Sequence, residues 1–358
     1  MINNAIIVFL VSLAISAGLT FVVLKLTKRF GILKYPGYRR LHNKPTPTMG
    51  GIAIALATAG GLLLAGLLLP DLFGEYQDRF IFLALASFVI LVTGIIDDKW
   101  ELSARAKIIG ELVATTVLIM GGFRIETISN PFGESIELGW ISYPLTYLWV
   151  LGLTNAINLS DGLDGFAAGI VVISTLSIAL VSFIRGNDMI MIAMVVVAAS
   201  ALGFLFYNFP PAKIFMGDTG ALFLGFILAG LTTMERIKGP VTVALVIPIL
   251  ALALPILDTV LAMLRRLVAR STISKGDTRH IHHRMLEMGL SPTYAILLAY
   301  ATSALLGLAA ISIYLVPKPF RLFILMGVAL VIIIFVLLLG GLKLVQRNRG
   351  EEDGRRQA

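Results

Sequence analysis

GIIDDKWELSARAK, residues 94–107, joins two apolar runs through a short polar turn. Upstream, residues 79–96 are apolar until Gly94-Ile95-Ile96 gives way to two adjacent carboxylates, Asp97 and Asp98. Downstream, residues 106–122 are apolar again. A helix needs about 20 apolar residues, with a working range of roughly 17–25, to cross a bilayer. Two such runs separated by one turn predict a helical hairpin that reverses at the membrane surface. A like-charged pair at the edge of hydrocarbon is costly unless a cation sits between or beside the two carboxylates.

The same pattern continues along the chain. Eleven spans are predicted, near 4–24, 49–69, 79–96, 106–122, 142–157, 163–184, 188–208, 219–234, 241–264, 293–316 and 320–343. The ninth contains Pro248 and Pro255, which predict a bend whose freed carbonyls are satisfied by neighbours. Of 358 residues, 58% are hydrophobic and 14% charged, where a soluble domain carries about a quarter charged. The expected fold is therefore an all-α polytopic membrane protein, with one transmembrane catalytic domain over 1–345 and a disordered tail at 346–358. The first run is too long for a signal-peptide core and has no basic stretch ahead of it, so it reads as a retained span. Residues 123–141 alternate around Asn130-Pro131 and predict a small hairpin. Absence of cysteine excludes disulfides and thiolate chemistry.

The net charge of +8 would suggest nucleic acid in a soluble protein, but no nucleic-acid-binding motif is present. It reads instead as attraction to anionic lipid. Of the 29 Lys and Arg residues, 22 fall in loops after odd-numbered spans or in the C-terminal tail, and seven on the other side. That asymmetry predicts the N-terminus outside and the C-terminus in the cytoplasm.

The predicted cytoplasmic loops carry acids, histidines and glycine clusters: RRLHNKPTPTMGG (39–51), DDKWELSARAK (97–107), NAINLSDGLDG (155–165), FPPAKIFMGDTG (209–220), and the run from LDTVLAMLRRL to RHIHHR within 257–284. Asp97, Asp98, Asp161, Asp164, Asp218 and Asp258 would repel strongly if all were ionised together, so either some are protonated or a cation joins them. The available ligands are oxygens, which suits Mg²⁺ or Mn²⁺ over zinc. A single Asp here is as readily a helix N-cap, and Asp161 and Asp218 both fit that simpler reading. So many acids on one face do not.

Gly162, Gly165 and the run Met216-Gly217-Asp218-Thr219-Gly220 predict helix starts whose amides turn toward an anion, or else simple close packing. Lys107 falls on the first turn of the fourth span, where it either snorkels or meets a phosphate. In Arg279-His280-Ile281-His282-His283-Arg284 the histidines share no helix face for zinc. The segment reads as a solvated basic loop or as a lid that grips phosphate or sugar hydroxyls. A secondary transporter, the rival class, would hold carboxylates near the bilayer midplane and often show inverted repeats. Here the acids gather at one surface and no repeat is found.

Taken in order, HNKPTPTMGG, DDKWELSARAK, NAINLSDGLDG, FMGDTGALFLGF, PILDTVLAMLRR and HIHHRMLEMGLS resemble the signature blocks of the polyprenyl-phosphate N-acetylhexosamine-1-phosphate transferases, from about residue 30 to 292. Within that superfamily the chain looks most like the undecaprenyl-phosphate GlcNAc-1-phosphate transferases of the WecA/TagO group. HIHHR replaces the three consecutive histidines of the phospho-N-acetylmuramoyl-pentapeptide transferases, and eleven spans fit where that branch has ten. That branch is the alternative, and HNKPTPTMGG looks closer to it. One departure stands out: relatives commonly carry Asp two residues before the proline that is Pro36 here, and this chain has Lys34.

The resemblance implies transfer of GlcNAc-1-phosphate from UDP-GlcNAc to undecaprenyl phosphate at the cytoplasmic face of the bacterial inner membrane. This would be the first membrane step toward a cell-envelope polysaccharide such as lipopolysaccharide or teichoic acid. It implies Mg²⁺ (or Mn²⁺) held by Asp218 and Asn158, and it admits a homodimer. The implied catalytic residues are Asp97, Asp98, Asp161, Asp218, His280, His282 and His283. Phe215 would stack on uracil, Asp164 would read the base edge, and Lys107, Lys44, Arg266 and Arg279 would bind substrate.

Overall fold

The computed structural model describes residues 1–35, 45–128, 136–234, 246–268, 281–317 and 319–334. In chain order the elements are α1 (Ile2–Arg29), β1 (Leu33–Lys34), β2 (Thr46–Pro47), α2 (Gly51–Leu68), α3 (Pro70–Gly74), α4 (Gln77–Trp100) and α5 (Ala104–Met120). There follow β3 (Thr127–Ile128), β4 (Ile136–Glu137), α6 (Ser142–Ser160), α7 (Phe166–Ile184), α8 (Asp188–Asn208) and α9 (Gly217–Thr233). The remainder is α10 (Val246–Ala251), α11 (Ala253–Val268), α12 (Ile281–Glu287), α13 (Pro292–Leu315) and an apolar helix Pro319–Ile334. Among the described residues, six helices (α1, α2, α4, α7, α8 and α13) are long and apolar enough to cross a membrane. The chain is an all-α membrane protein. Where they are described, the apolar runs expected from the sequence coincide with helices to within a few residues, apart from the break at Leu252.

Helices dominate because hydrocarbon offers no partner for backbone N–H and C=O groups, so each span must satisfy its own. Three of their starts carry polar side-chain caps. Ser103 accepts from Ala106 N, Asn187 from Ile190 N, and Ser291, ahead of Pro292, from Tyr294 N. The bend expected in the ninth span is the break at Leu252 between α10 and α11. Pro255 has no N–H to give the carbonyl of Ala251, and the Ser174 hydroxyl of α7 supplies that bond at 2.5 Å.

α8 and α9 form the centre. α8 packs between α1 and α7, and α9 between α4 and α6. The apolar window of α8 is 83% buried, against 28% for α1, whose Ile6, Leu10 and Phe21 face outward. An apolar exterior of this kind is what a lipid-facing helix requires. α1 meets α8 through Ser16, which donates to Ser200 O; small polar residues let helices approach closely in a membrane.

Two short hairpins complete the fold. β3 pairs antiparallel with β4, Thr127 opposite Glu137, which bears out the predicted hairpin; its turn, 129–135, lies outside the described residues. β1 pairs with β2, Lys34 opposite Thr46, and this small ribbon sets the position of Lys34.

Candidate active site

The site forms where the ends of α4, α6 and the start of α5 meet the start of α9. α4 ends at Glu101, a non-glycine residue in the left-handed region (φ 49°), and Ser103 then caps α5. That tight reversal brings Lys107 back over Asp97, which explains the spacing in DDKWELSARAK. Asp97 accepts from Leu102 N at 2.8 Å and pairs with the Lys107 ammonium. Lys107 also reaches Asp218 Oδ1 of α9 at 2.9 Å. Asn158, near the end of α6, donates to the same oxygen at 2.8 Å.

Asp98 turns the other way. Its side chain is 0% exposed and accepts from four donors. Oδ1 takes Asp218 N at 3.0 Å and Lys34 Nζ at 3.0 Å; Oδ2 takes Thr219 N at 3.0 Å and the Thr219 hydroxyl at 2.7 Å. The first amides of a helix favour an anion, through both the unpaired N–H groups and the aligned peptide dipoles. The anion at the start of α9 is the chain's own Asp98.

Close packing makes this contact possible. Gly217 has φ +73°, and a Cβ there would lie 2.3 Å from Asp98 Oδ2. Gly94, the first residue of the stretch that opens this site, would place a Cβ 2.5 Å from Thr219 Cα. Larger residues at either position would push α4 and α9 apart.

This geometry corrects two expectations. Neither Asp218 nor Asp161 is an N-cap: α9 has no side-chain cap of its own and Asp218 lies in its first turn, while Asp161 follows the last residue of α6. The Gly165 amide is not turned toward a ligand either. It donates to Asn208 Oδ1 at 2.8 Å, and its carbonyl accepts from the Tyr300 hydroxyl at 2.6 Å.

The other expected residues surround this centre. Asp161 is partly buried; burial, with repulsion from Asp218, Asp98 and Asp164 and against the pull of Lys34, pushes its pKa up to about 7. Asp164 ties its loop to Ala212 N at 2.9 Å. Half-buried Phe215 sits between two backbone bonds, its N–H to Pro47 O at 2.8 Å and its carbonyl to Gly50 N at 3.0 Å, immediately before the turn into α9. α12 carries His283 and begins with Ile281 N donating to buried Asp258 at 2.9 Å. Ile281 and Met285 pack with Leu163 and Phe166, so the histidine helix leans on the NLSDGLDG loop. Lys44, Arg279 and His280 lie outside the described residues, as do the side chains of Arg266 and His282.

Two residues of this cluster were not among those expected. Lys34, the departure in the resemblance, lies 3.0 Å from Asp98 and 3.8 Å from Asp218 Oδ2. Burial opposes its charge, but Asp98 and Asp218 outweigh that and raise its pKa above the usual lysine value. Glu111, one turn below Lys107 and 1% exposed, accepts from Asn155 Nδ2 at 2.6 Å, while its Oε1 has no hydrogen-bond partner among the described residues. An acid inside an apolar span was the available signal for Glu111; for Lys34 it was the mismatch at that position.

Among the described residues, no group of three or more His, Cys, Asp or Glu side chains is arranged to hold a metal ion by itself. Asp218, 28% exposed, and Asn158 are the accessible oxygen-bearing pair at the centre.

Comparison with known proteins places the chain among relatives. Residues 80–235, which hold the acids of α4 and α9 with Lys107 and Asn158, match Glycosyl transferase family 4. The chain is 39% identical over 332 residues to the probable undecaprenyl-phosphate N-acetylglucosaminyl 1-phosphate transferase of Bacillus subtilis strain 168, covering 92% of this chain and 90% of the relative. It is 35% identical to the decaprenyl-phosphate N-acetylglucosaminephosphotransferase of Mycolicibacterium smegmatis over 87% of this chain and 82% of the relative. The phospho-N-acetylmuramoyl-pentapeptide-transferase of Desulforamulus reducens is 36% identical over a shorter stretch, 53% of this chain and 60% of the relative. With its acids, lysine and asparagine meeting at one centre and these identities running through it, the chain belongs to the family of polyprenyl-phosphate N-acetylhexosamine-1-phosphate transferases.

Proposed function

We propose that this protein transfers GlcNAc-1-phosphate from UDP-GlcNAc to undecaprenyl phosphate, giving undecaprenyl-diphospho-GlcNAc and UMP. An oxygen of the lipid phosphate attacks the sugar-bearing phosphorus of the donor. One P–O bond to the lipid phosphate forms, the P–O bond to UMP breaks, and UMP leaves with that oxygen. The observation that carries this reading is the joining of Asp97, Lys107, Asn158 and Asp218 at one point by bonds of 2.8–2.9 Å and the Asp97–Lys107 ion pair. They stand at the ends of four different helices. A lipid headgroup and a soluble nucleotide meet most readily at such a helix-end surface. A transporter would instead keep its acids near the midplane.

Phosphoryl transfer asks little covalent help of a protein; it asks for in-line positioning and charge neutralisation. Lys107 supplies a cation between two acids. Asp97, held by Lys107 and Leu102 N, orients the incoming lipid phosphate, which as a dianion near neutral pH is already nucleophilic. Asp98 fixes the start of α9 and so the place of Asp218. Phe215 and Asp164 would receive the uracil, and the histidine helix would close toward the sugar.

The donor set fits Mg²⁺, which commonly takes one or two carboxylates and completes its shell with water and substrate phosphate. Asp218, with the Asn158 carbonyl after an amide flip, would hold it. Bound there, Mg²⁺ would neutralise charge on the diphosphate.

In this reading the chain is one transmembrane catalytic domain in the bacterial inner membrane, N-terminus outside, with eleven crossings and the site on the cytoplasmic face. The purified protein, given undecaprenyl phosphate and a panel of UDP-sugars, should release UMP with UDP-GlcNAc and yield a lipid of the corresponding mass. A product carrying N-acetylmuramoyl-pentapeptide would move it to that branch. No UMP from any donor would end the proposal.

A further inference from the structure

We propose that Lys34 is a substrate-phosphate-binding residue of this chain, a second cationic arm opposite Lys107 across Asp218. The inference rests on the transferase reading above and deepens it.

The two lysines approach Asp218 from its two oxygens: Lys107 at 2.9 Å from Oδ1 and Lys34 at 3.8 Å from Oδ2. Each also pairs with one member of the Asp97-Asp98 doublet, Lys107 with Asp97 and Lys34 with Asp98. The exposures decide which partner meets an arriving anion. Lys34 keeps 27% of its side chain accessible and Lys107 19%, while Asp98 keeps none and Asp97 6%. Around a doublet that reads as acidic in the sequence, the lysine side chains are therefore more accessible than the carboxylates they pair with. Substrates carrying three phosphoryl groups between them need that sign of charge.

A merely structural role does not account for Lys34. Asp98 already accepts three other bonds, from Asp218 N, Thr219 N and the Thr219 hydroxyl. Neutralising Asp98 does not by itself require the ammonium also to stand within 3.8 Å of the accessible Asp218. Its position is set by pairing of Lys34 with Thr46 across a two-residue ribbon. Pro47, next to Thr46 and opposite Leu33, in turn accepts from Phe215 N, so the arm is tied to the segment that leads into Asp218. The ligand chemistry is a phosphate oxygen, either of the polyprenyl phosphate or of the nucleotide-sugar diphosphate.

The test uses full-length protein in detergent or nanodiscs, as wild type, Lys34→Gln and Lys34→Arg. It measures UMP release with each substrate varied in turn, equilibrium binding of UDP-GlcNAc and of undecaprenyl phosphate separately, and Tm. Lys34→Gln should raise KM and Kd for one substrate about tenfold or more, the scale of one charge-assisted bond, and Lys34→Arg should restore most of it. A rise confined to undecaprenyl phosphate assigns the arm to the acceptor; one confined to UDP-GlcNAc assigns it to the donor. A lower Tm with KM and Kd unchanged for both substrates overturns the proposal. If wild type releases no UMP, the transferase reading fails instead, and the binding arms still decide Lys34: equal affinities in wild type and Lys34→Gln overturn it. Should Lys34→Gln not fold, Lys34→Arg decides, since a phosphate-binding arm keeps affinity within about threefold with arginine and shifts the salt dependence of binding little.

Discussion

The Asp98 side chain has no exposed surface and accepts from four donors, whereas Asp218, bonded to Lys107, Asn158 and at longer range Lys34, keeps 28% of its side chain accessible. The two carboxylates are linked through the backbone, since Asp218 N donates to Asp98. One half of the cluster is anchored and the other is open. A carboxylate enclosed by fixed N–H groups cannot exchange partners during a reaction cycle without desolvating them. One that touches side-chain ammonium groups at the surface can exchange them for substrate at small cost. In the proposed reaction the anchored half would set geometry and the open half would do chemistry.

This contrast can be broken by substitution. Asp218→Ala should lower UMP release on the order of 10³-fold while leaving Tm close to wild type, because the side chain is partly solvated. A large fall in Tm would show that Asp218 is as structural as Asp98. Asp98→Ala should do the reverse in kind: it leaves the Lys34 ammonium and the first amides of α9 without their anion, and should destabilise the fold by on the order of 3–5 kcal/mol in denaturant titration. If stability is unchanged and only turnover falls, the anchored assignment of Asp98 is wrong.

Asp97 lies between these extremes, 6% exposed yet paired with the same Lys107 that serves Asp218. Asp97→Asn should reduce kcat by about 10²-fold, and the pH–rate profile then separates a base from an orienting group. A base gives a limb that disappears in the variant; an orienting role lowers the profile without changing its shape. The smallest expected effect belongs to Asp161. Its folded pKa is about 7 against a usual 3.8, so between those values the folded chain binds more protons than the unfolded one. Its contribution to stability is full at the acid end of that window and is lost as pH rises toward 7. Asp161→Asn should flatten that part of the Tm–pH curve in metal-free detergent; an unchanged slope would assign it to other groups.

The spans were legible because their cause is local. Once about 20 consecutive residues are apolar, hydrocarbon permits only a helix, and the described helices fall within a few residues of the expected runs. α8 was expected over 188–208 and is Asp188–Asn208; the bend at Pro255 and the hairpin at 127–137 follow from equally local rules. The residues that meet at the candidate site, Asp97, Asp98, Lys107, Asn158 and Asp218, were also legible, because polar groups are rare enough in such a chain to stand out.

What each acid does was not legible. Asp97 and Asp98 are consecutive and chemically identical, and sequence alone gives no reason for one to meet Lys107 and the other to cap α9. Lys34 lies 64 residues from Asp98, and Lys107 lies 111 from Asp218. Such partners are chosen by where helix ends come together, and nothing in the local pattern encodes that. The sequence by itself determined a membrane-embedded helical chain with an oxygen-rich polar face and the family to which its motifs point. Only the tertiary structure decided which carboxylate is enclosed, which is open, and that Lys34 joins them. Hydrophobic burial is read residue by residue, whereas the fate of a charge depends on every donor that packing brings within about 3 Å of it.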